Sequence, residues 1–139
     1  MRKILVATHS YFAEGIRGAL NFILGDKANL DIMNAYITQD FDIEAKVNQI
    51  LEDLSEDDEL IVLVDLLGGS VSNTFSNKIY DRRLHVISGV NFPMLLEIVL
   101  SQSEDIEEVI KSGIESGKNG IVYVNEVVNK TMNDIEEGL

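Results

Sequence analysis

Residues 4–10 read Ile4-Leu5-Val6-Ala7-Thr8-His9-Ser10. The apolar part is continuous, and Thr8-His9 ends it abruptly. A strand with one solvated face would alternate apolar and polar residues. A continuous run predicts a strand buried on both faces, as in a parallel sheet covered by helices. Arg2 and Lys3 precede the run, but it falls short of the roughly 7–15 apolar residues of a secretory signal. Residues 60–64 and 121–124 repeat the pattern: short, rich in β-branched side chains, and bounded by polar or glycine residues. Residues 84–88 form a weaker fourth run, and residues 30–36 alternate like a half-exposed edge strand.

Helical stripes separate these runs. Phe12, Ile16, Leu20, Ile23 and Leu24 share one face, closed by Gly25. Ile43, Val47, Ile50, Leu51 and Leu54 make a second stripe, and Val71, Phe75 and Ile79 a third. Met94, Leu95, Ile98 and Val99 follow Pro93, which suits the first helical position. Ile106, Val109, Ile110 and Ile114 follow Ser103 as N-cap and end before Gly117. Strict alternation of strand and helix predicts an α/β fold. Right-handed crossovers favour a three-layer, flavodoxin-like, doubly wound sheet in the order 2-1-3-4. Past Asn125 the pattern weakens, and Val127, Val128, Met132 and Ile135 suit either a helix or a terminal arm. Residues 1–125 therefore read as the domain and 126–139 as a C-terminal tail.

Composition narrows the function. The chain has 139 residues, 45% of them hydrophobic, enough for one core without disulfides. It has no cysteine, which excludes a thiolate nucleophile and suits a cytoplasmic location. With 11 basic and 24 acidic residues the formal net charge is −13, which argues against nucleic acid and anionic membrane partners. No run approaches the 18 or so apolar residues of a membrane span. The acidic cluster Glu52, Asp53, Glu56, Asp57, Asp58 and Glu59 reads as a solvated helix end and loop.

In a doubly wound sheet, ligands bind beyond the carboxyl ends of the strands where the order reverses, here between strands 1 and 3. Strand 1 ends in Thr8-His9-Ser10, and strand 3 in Asp65-Leu66-Leu67-Gly68-Gly69-Ser70. The topology thus brings His9 and Asp65 together. A carboxylate on one imidazole nitrogen fixes the tautomer and leaves the other nitrogen a directed nucleophile. Gly68 and Gly69 free the backbone to turn N–H groups toward an anion at the start of the next helix. The hydroxyls of Ser70 and Thr8 add donors. These parts describe a site that carries a phosphoryl group on histidine. The chain lacks GxxxxGK[ST] and GxGxxG loops, so a nucleotide cofactor is not expected, and no second histidine near His9 offers metal-ligand spacing. His85, beside Arg82 and Arg83, reads as structural or surface.

Three stretches carry a resemblance. Residues 4–10 with Ala13-Glu14-Gly15, residues 64–70 with Asn73, and Ser88-Gly89-Val90-Asn91-Phe92-Pro93-Met94-Leu95-Leu96-Glu97 resemble motifs of the mannose-type IIA components of the bacterial sugar phosphotransferase system. The resemblance spans about residues 1–125. It implies a phosphocarrier that accepts a phosphoryl group from HPr on His9 and passes it to a separate IIB component. The membrane IIC and IID components would be served indirectly. It implies that Asp65 orients His9 and that Ser70 and nearby amides bind the phosphoryl oxygens. It implies that Asn91, Phe92, Pro93 and Met94 wall the site, with neither metal nor cofactor. It further implies a homodimer that exchanges an antiparallel edge strand at residues 121–124. The chain departs from the family pattern at Val71, where proline is usual, at Phe92, where leucine is usual, and at Leu66-Leu67. Tyr11, Phe12, Leu66, Leu67 and Phe92 are expected near the rim as a docking patch. The related phosphotransfer subunit of dihydroxyacetone kinase is an alternative on the same fold. A receiver domain would need an acidic pair where Thr8-His9 stands, and a flavodoxin a hydroxyl-rich loop where Tyr11-Phe12 stands.

Overall fold

The computed structural model describes residues 1–26 and 28–138. In chain order the elements are β1 (Arg2–His9), α1 (Phe12–Leu24), β2 (Asp31–Ala35), α2 (Ile43–Glu52), β3 (Glu59–Val64), α3 (Ser70–Ser76), β4 (Leu84–Ser88), α4 (Phe92–Leu100), α5 (Ile106–Asn119) and α6 (Val124–Glu137). Among the described residues, four strands form one sheet in the order β2-β1-β3-β4, every pair parallel. The expected three-layer fold is present.

The continuous apolar runs divide by alternation. Ile4 and Val6 of β1, with Ile61 and Leu63 of β3, face Leu20 of α1, Leu95 and Ile98 of α4 and Val109 of α5. Leu5 and Ala7, with Val62 and Val64, face Val47 of α2 and Val71 and Phe75 of α3. Burying a Val, Leu or Ile side chain contributes about 1.5–3 kcal/mol, so both faces of these two central strands stabilise the sheet. β2 takes the edge, as its alternation suggested.

Several local expectations change. Asp105, not Ser103, caps α5: its side chain accepts from Glu107 N at 3.1 Å. Ser103 lies just before, its Oγ accepting from Asp105 N and donating to Glu108. α5 also runs through Gly117 to Asn119, because Gly117 is there for proximity rather than termination. A Cβ on Gly117 would sit 3.1 Å from Met94, and the bare glycine lets α5 press on α4. Asn91 caps α4 by accepting from Met94 N, which leaves Pro93 one residue beyond the first helical position. α3 ends at Ser76, so Ile79 is exposed rather than part of the third stripe. Asp58 is buried rather than solvated. It accepts from Ser55 N and pairs with Lys3 and the N-terminal ammonium. Hydrogen bonding from the Ser55 backbone leads, followed by the ammonium and Lys3; together they outweigh burial and pull its carboxyl down to about 2.

The C-terminal run takes a different form in the single chain. Residues 121–123 form no strand in the single chain, and Val124 already begins α6. A strand exists only by pairing with another backbone, and among the described residues no strand of the same copy pairs with this run. Ile121 is 76% exposed, and Val122, Tyr123, Val124, Val127, Val128, Met132 and Ile135 are exposed with it. Among the described residues no helix is long and apolar enough to cross a membrane.

Candidate functional site

β1 and β3 lie side by side, with Ala7 in register with Val64. The next residue on β1 is buried Thr8, and beyond it His9 meets Asp65, the first residue after β3. Asp65 Oδ2 accepts twice from this histidine: from the backbone N at 3.0 Å and from the ring Nδ1 at 3.0 Å. The backbone bond anchors the carboxylate, and the ring bond orients the imidazole. Burial pushes the Asp65 carboxyl up, but the hydrogen bonds from the His9 ring and backbone N–H more than offset this, so it lies below the usual carboxylate range. An ionised carboxylate only accepts, so Nδ1 carries the proton and Nε2 keeps its lone pair.

Ser70, the first residue of α3, places its Oγ 3.4 Å from that Nε2. Gly68 takes φ +82°, which turns the chain back over the site. Its carbonyl accepts from Asn73 Nδ2, which locks the turn. Gly69 packs against the imidazole so closely that a Cβ there would stand 3.1 Å from Cε1. The N–H groups of the first turn of α3 have no acceptor within the helix. The arrangement offers a ring nitrogen, a hydroxyl and the N–H groups of a helix start beside one another.

Other expected residues take other work. Thr8 is fully buried, and its Oγ1 accepts from Ala13 N at 2.8 Å. Alternation along β1 sends Thr8 to the α1 face, so it holds the first turn of that helix and is removed from any phosphoryl-binding set. Asn91 spends its amide on Met94 N and, through Nδ2, on Gly117 O. Met94 is buried and Phe92 packs at the fringe of the core beneath α1, α4 and α5. No hydrogen bond joins residues 91–94 to His9. Pro93 is exposed in the first turn of α4. Tyr11, Phe12, Leu66 and Leu67 are exposed, Leu67 to 78%. Arg83 binds Asp81 and the carbonyls of Leu51 and Leu54, and His85 lies half-buried toward the amino end of β4.

One neighbour of His9 escaped the sequence reading. Tyr36 follows β2, which also flanks β1, and its ring stacks on the imidazole with centroids 5.7 Å apart and planes at 23°. The signal was an aromatic residue directly after the edge strand. The reversal point draws on residues after strand 2 as well as strands 1 and 3.

Known proteins resemble this chain over most of its length. The mannose-specific EIIAB component of Escherichia coli K12 is 29% identical over 122 residues, which is 85% of this chain and 38% of that protein. The chain thus spans well under half of that relative. The fructose-specific EIIA component of Bacillus subtilis 168 is 29% identical over 101 residues, 71% of this chain and 69% of that one. A solved EIIA component from Streptococcus agalactiae superposes with a TM-score of 0.78 at 31% identity, covering 91% of this chain and 99% of the other. The family model EIIA-man, described as PTS system fructose IIA component, matches residues 3–113, and the chain belongs to that mannose/fructose-type IIA family of the sugar phosphotransferase system.

Proposed function

We propose that the protein is a phosphocarrier: His9 Nε2 accepts a phosphoryl group from phospho-HPr and passes it to a IIB component, for sugar uptake driven through the membrane IIC and IID components. The observation that carries this reading is the 3.0 Å contact of Asp65 Oδ2 with His9 Nδ1, which leaves Nε2 facing Ser70. The Nε2 lone pair attacks phosphorus, and the bond from phosphorus to the donor's nitrogen breaks with its electron pair returning to the donor. The Nδ1 proton stays on His9, held by Asp65. Ser70 and the amides around Gly68 and Gly69 receive the phosphoryl oxygens. Such transfer depends on positioning and charge stabilisation more than on covalent help.

Two surfaces complete the reading. The exposed Tyr11, Phe12, Leu66 and Leu67 surround the site and serve as a common docking patch for donor and acceptor. The run at 121–124 is exposed, and among the described residues β4 has an unpaired outer edge, so the two can pair between copies. A homodimer exchanging that run would bury it.

The test supplies phosphoenolpyruvate, enzyme I and HPr, then adds a IIB component. The wild type takes up one acid-labile phosphoryl group and loses it to IIB, whereas His9→Ala takes up none. Equal uptake by His9→Ala would overturn the reading.

A further inference from the structure

We infer that Tyr36 is a positioning residue that holds the His9 imidazole and favours its phosphorylated form. The inference rests on His9 carrying the phosphoryl group. Three contacts fix the ring: Asp65 grips Nδ1, Gly69 backs Cε1, and Tyr36 covers one face. The Nε2 side faces Ser70, whose Oγ lies 3.4 Å away. Tyr36 is itself braced from behind, because Phe41 meets its ring edge-on with centroids 5.2 Å apart. Edge-to-face aromatic contacts of this kind are favourable beyond the area they bury.

The backbone indicates that this placement opposes local preference. Tyr36 sits at φ +65°, a left-handed conformation that a bulky residue seldom adopts. Ser10, which follows His9, is left-handed too at φ +55°, and its N–H donates to Ala35 O at 2.8 Å. The two chain reversals are thus tied together beside the reactive ring. Core burial does not account for the tyrosine, since it remains 44% exposed.

The charge on His9 supplies the function. When Nε2 bonds phosphorus and Nδ1 keeps its proton, the imidazole ring becomes cationic. The face of an aromatic ring attracts a cation, and at a partly exposed site the effect amounts to roughly a two- to fivefold change in an equilibrium constant. Tyr36 therefore stabilises phospho-His9 relative to free His9. Docking contacts alter the rate of transfer in both directions, but they leave its equilibrium unchanged. The equilibrium between HPr and this chain isolates what Tyr36 does to the histidine.

The experiment equilibrates full-length wild type, Tyr36→Phe, Tyr36→Leu and Tyr36→Asn with a fixed ratio of phospho-HPr to HPr. Intact mass gives the phosphorylated fraction. Tyr36→Phe keeps the wild-type equilibrium. Tyr36→Leu, which keeps bulk but lacks a π face, shifts it roughly two- to fivefold toward phospho-HPr. Tyr36→Asn does the same although asparagine tolerates the left-handed backbone, and thermal unfolding checks that both variants fold. The ring protons of His9 resonate upfield in wild type and Tyr36→Phe and move downfield in Tyr36→Leu. A folded Tyr36→Leu with the wild-type equilibrium, or with unmoved His9 ring protons, overturns the role of Tyr36 while leaving the phosphocarrier standing. A wild type that takes up no phosphoryl group overturns the parent reading and the equilibrium effect with it.

Discussion

The carboxyl end of the sheet and the C-terminal segment both expose apolar side chains, but for different reasons. Tyr11, Phe12, Leu66 and Leu67 are exposed in the segments that follow β1 and β3, where His9 and Asp65 share two hydrogen bonds and Asp65 Oδ1 is buried without a partner among the described residues. Along residues 121–135, Ile121, Val124, Val128 and Ile135 are equally exposed, yet they surround nothing. α6 is amphipathic and buries none of its residues. In the proposed reading the first region serves transient partners, and the second is covered by another copy of the chain. Exposed apolar surface of this extent is the usual mark of an interaction site, and the polar geometry beside His9 distinguishes the first region from the second.

Four variants break or sharpen that contrast. Asp65→Asn has the largest effect: it removes the charge that fixes the tautomer of His9 and slows phosphoryl uptake by about 10- to 100-fold. Stopped-flow or quenched-flow transfer from phospho-HPr reads the loss, and circular dichroism checks that the sheet survives. Ile121→Asp combined with Val124→Asp comes next. It weakens self-association by more than about tenfold in analytical ultracentrifugation, while each chain still accepts one phosphoryl group. Equal loss of both properties would show that the two regions are one functional unit. Leu67→Asp slows transfer with either partner by about fivefold, the cost of a typical buried interface contact, and leaves the unfolding midpoint unchanged. An unaltered rate with both partners removes Leu67 from the docking patch.

The smallest effect lies at the opposite end of the sheet. Asp58 has its carboxyl drawn from the ordinary 3.8 down to about 2, first by the Ser55 backbone and then by the N-terminal ammonium and Lys3. A depressed carboxyl stabilises the fold above its ordinary value and loses that contribution as the pH falls through its folded value. The unfolding midpoint of Asp58→Asn therefore lies below that of wild type at pH 6, and the gap closes as the pH approaches about 2. A gap independent of pH would assign the difference to packing instead.

The sheet was legible because periodicity survives without tertiary information. Ile4 to Ala7 and Leu60 to Val64 are apolar on both faces, and only a covered parallel strand accommodates that. The pairing of His9 with Asp65 then followed from strand order. Three features were not legible, each for a physical reason. Thr8 and His9 are adjacent, so alternation sends their side chains to opposite faces, and only one can serve the site. Tyr36 takes its place through a left-handed backbone that no tyrosine advertises in sequence. Residues 121–124 have the same local composition as a buried strand, but strand formation also requires a partner backbone. Gly117 illustrates the same limit, because a glycine that ends a helix and one that admits a neighbouring helix look alike in sequence.

The central claim is that the meeting of β1 and β3 commits Nδ1 of His9 to Asp65 and Nε2 to the phosphoryl group. A long-range proton–nitrogen correlation spectrum of the phosphorylated, ¹⁵N-labelled protein tests it directly. The expected spectrum shows the phosphoryl group on Nε2 of His9 with the proton retained on Nδ1. A phosphoryl group on Nδ1, or on Asp65 or any other residue, would contradict it.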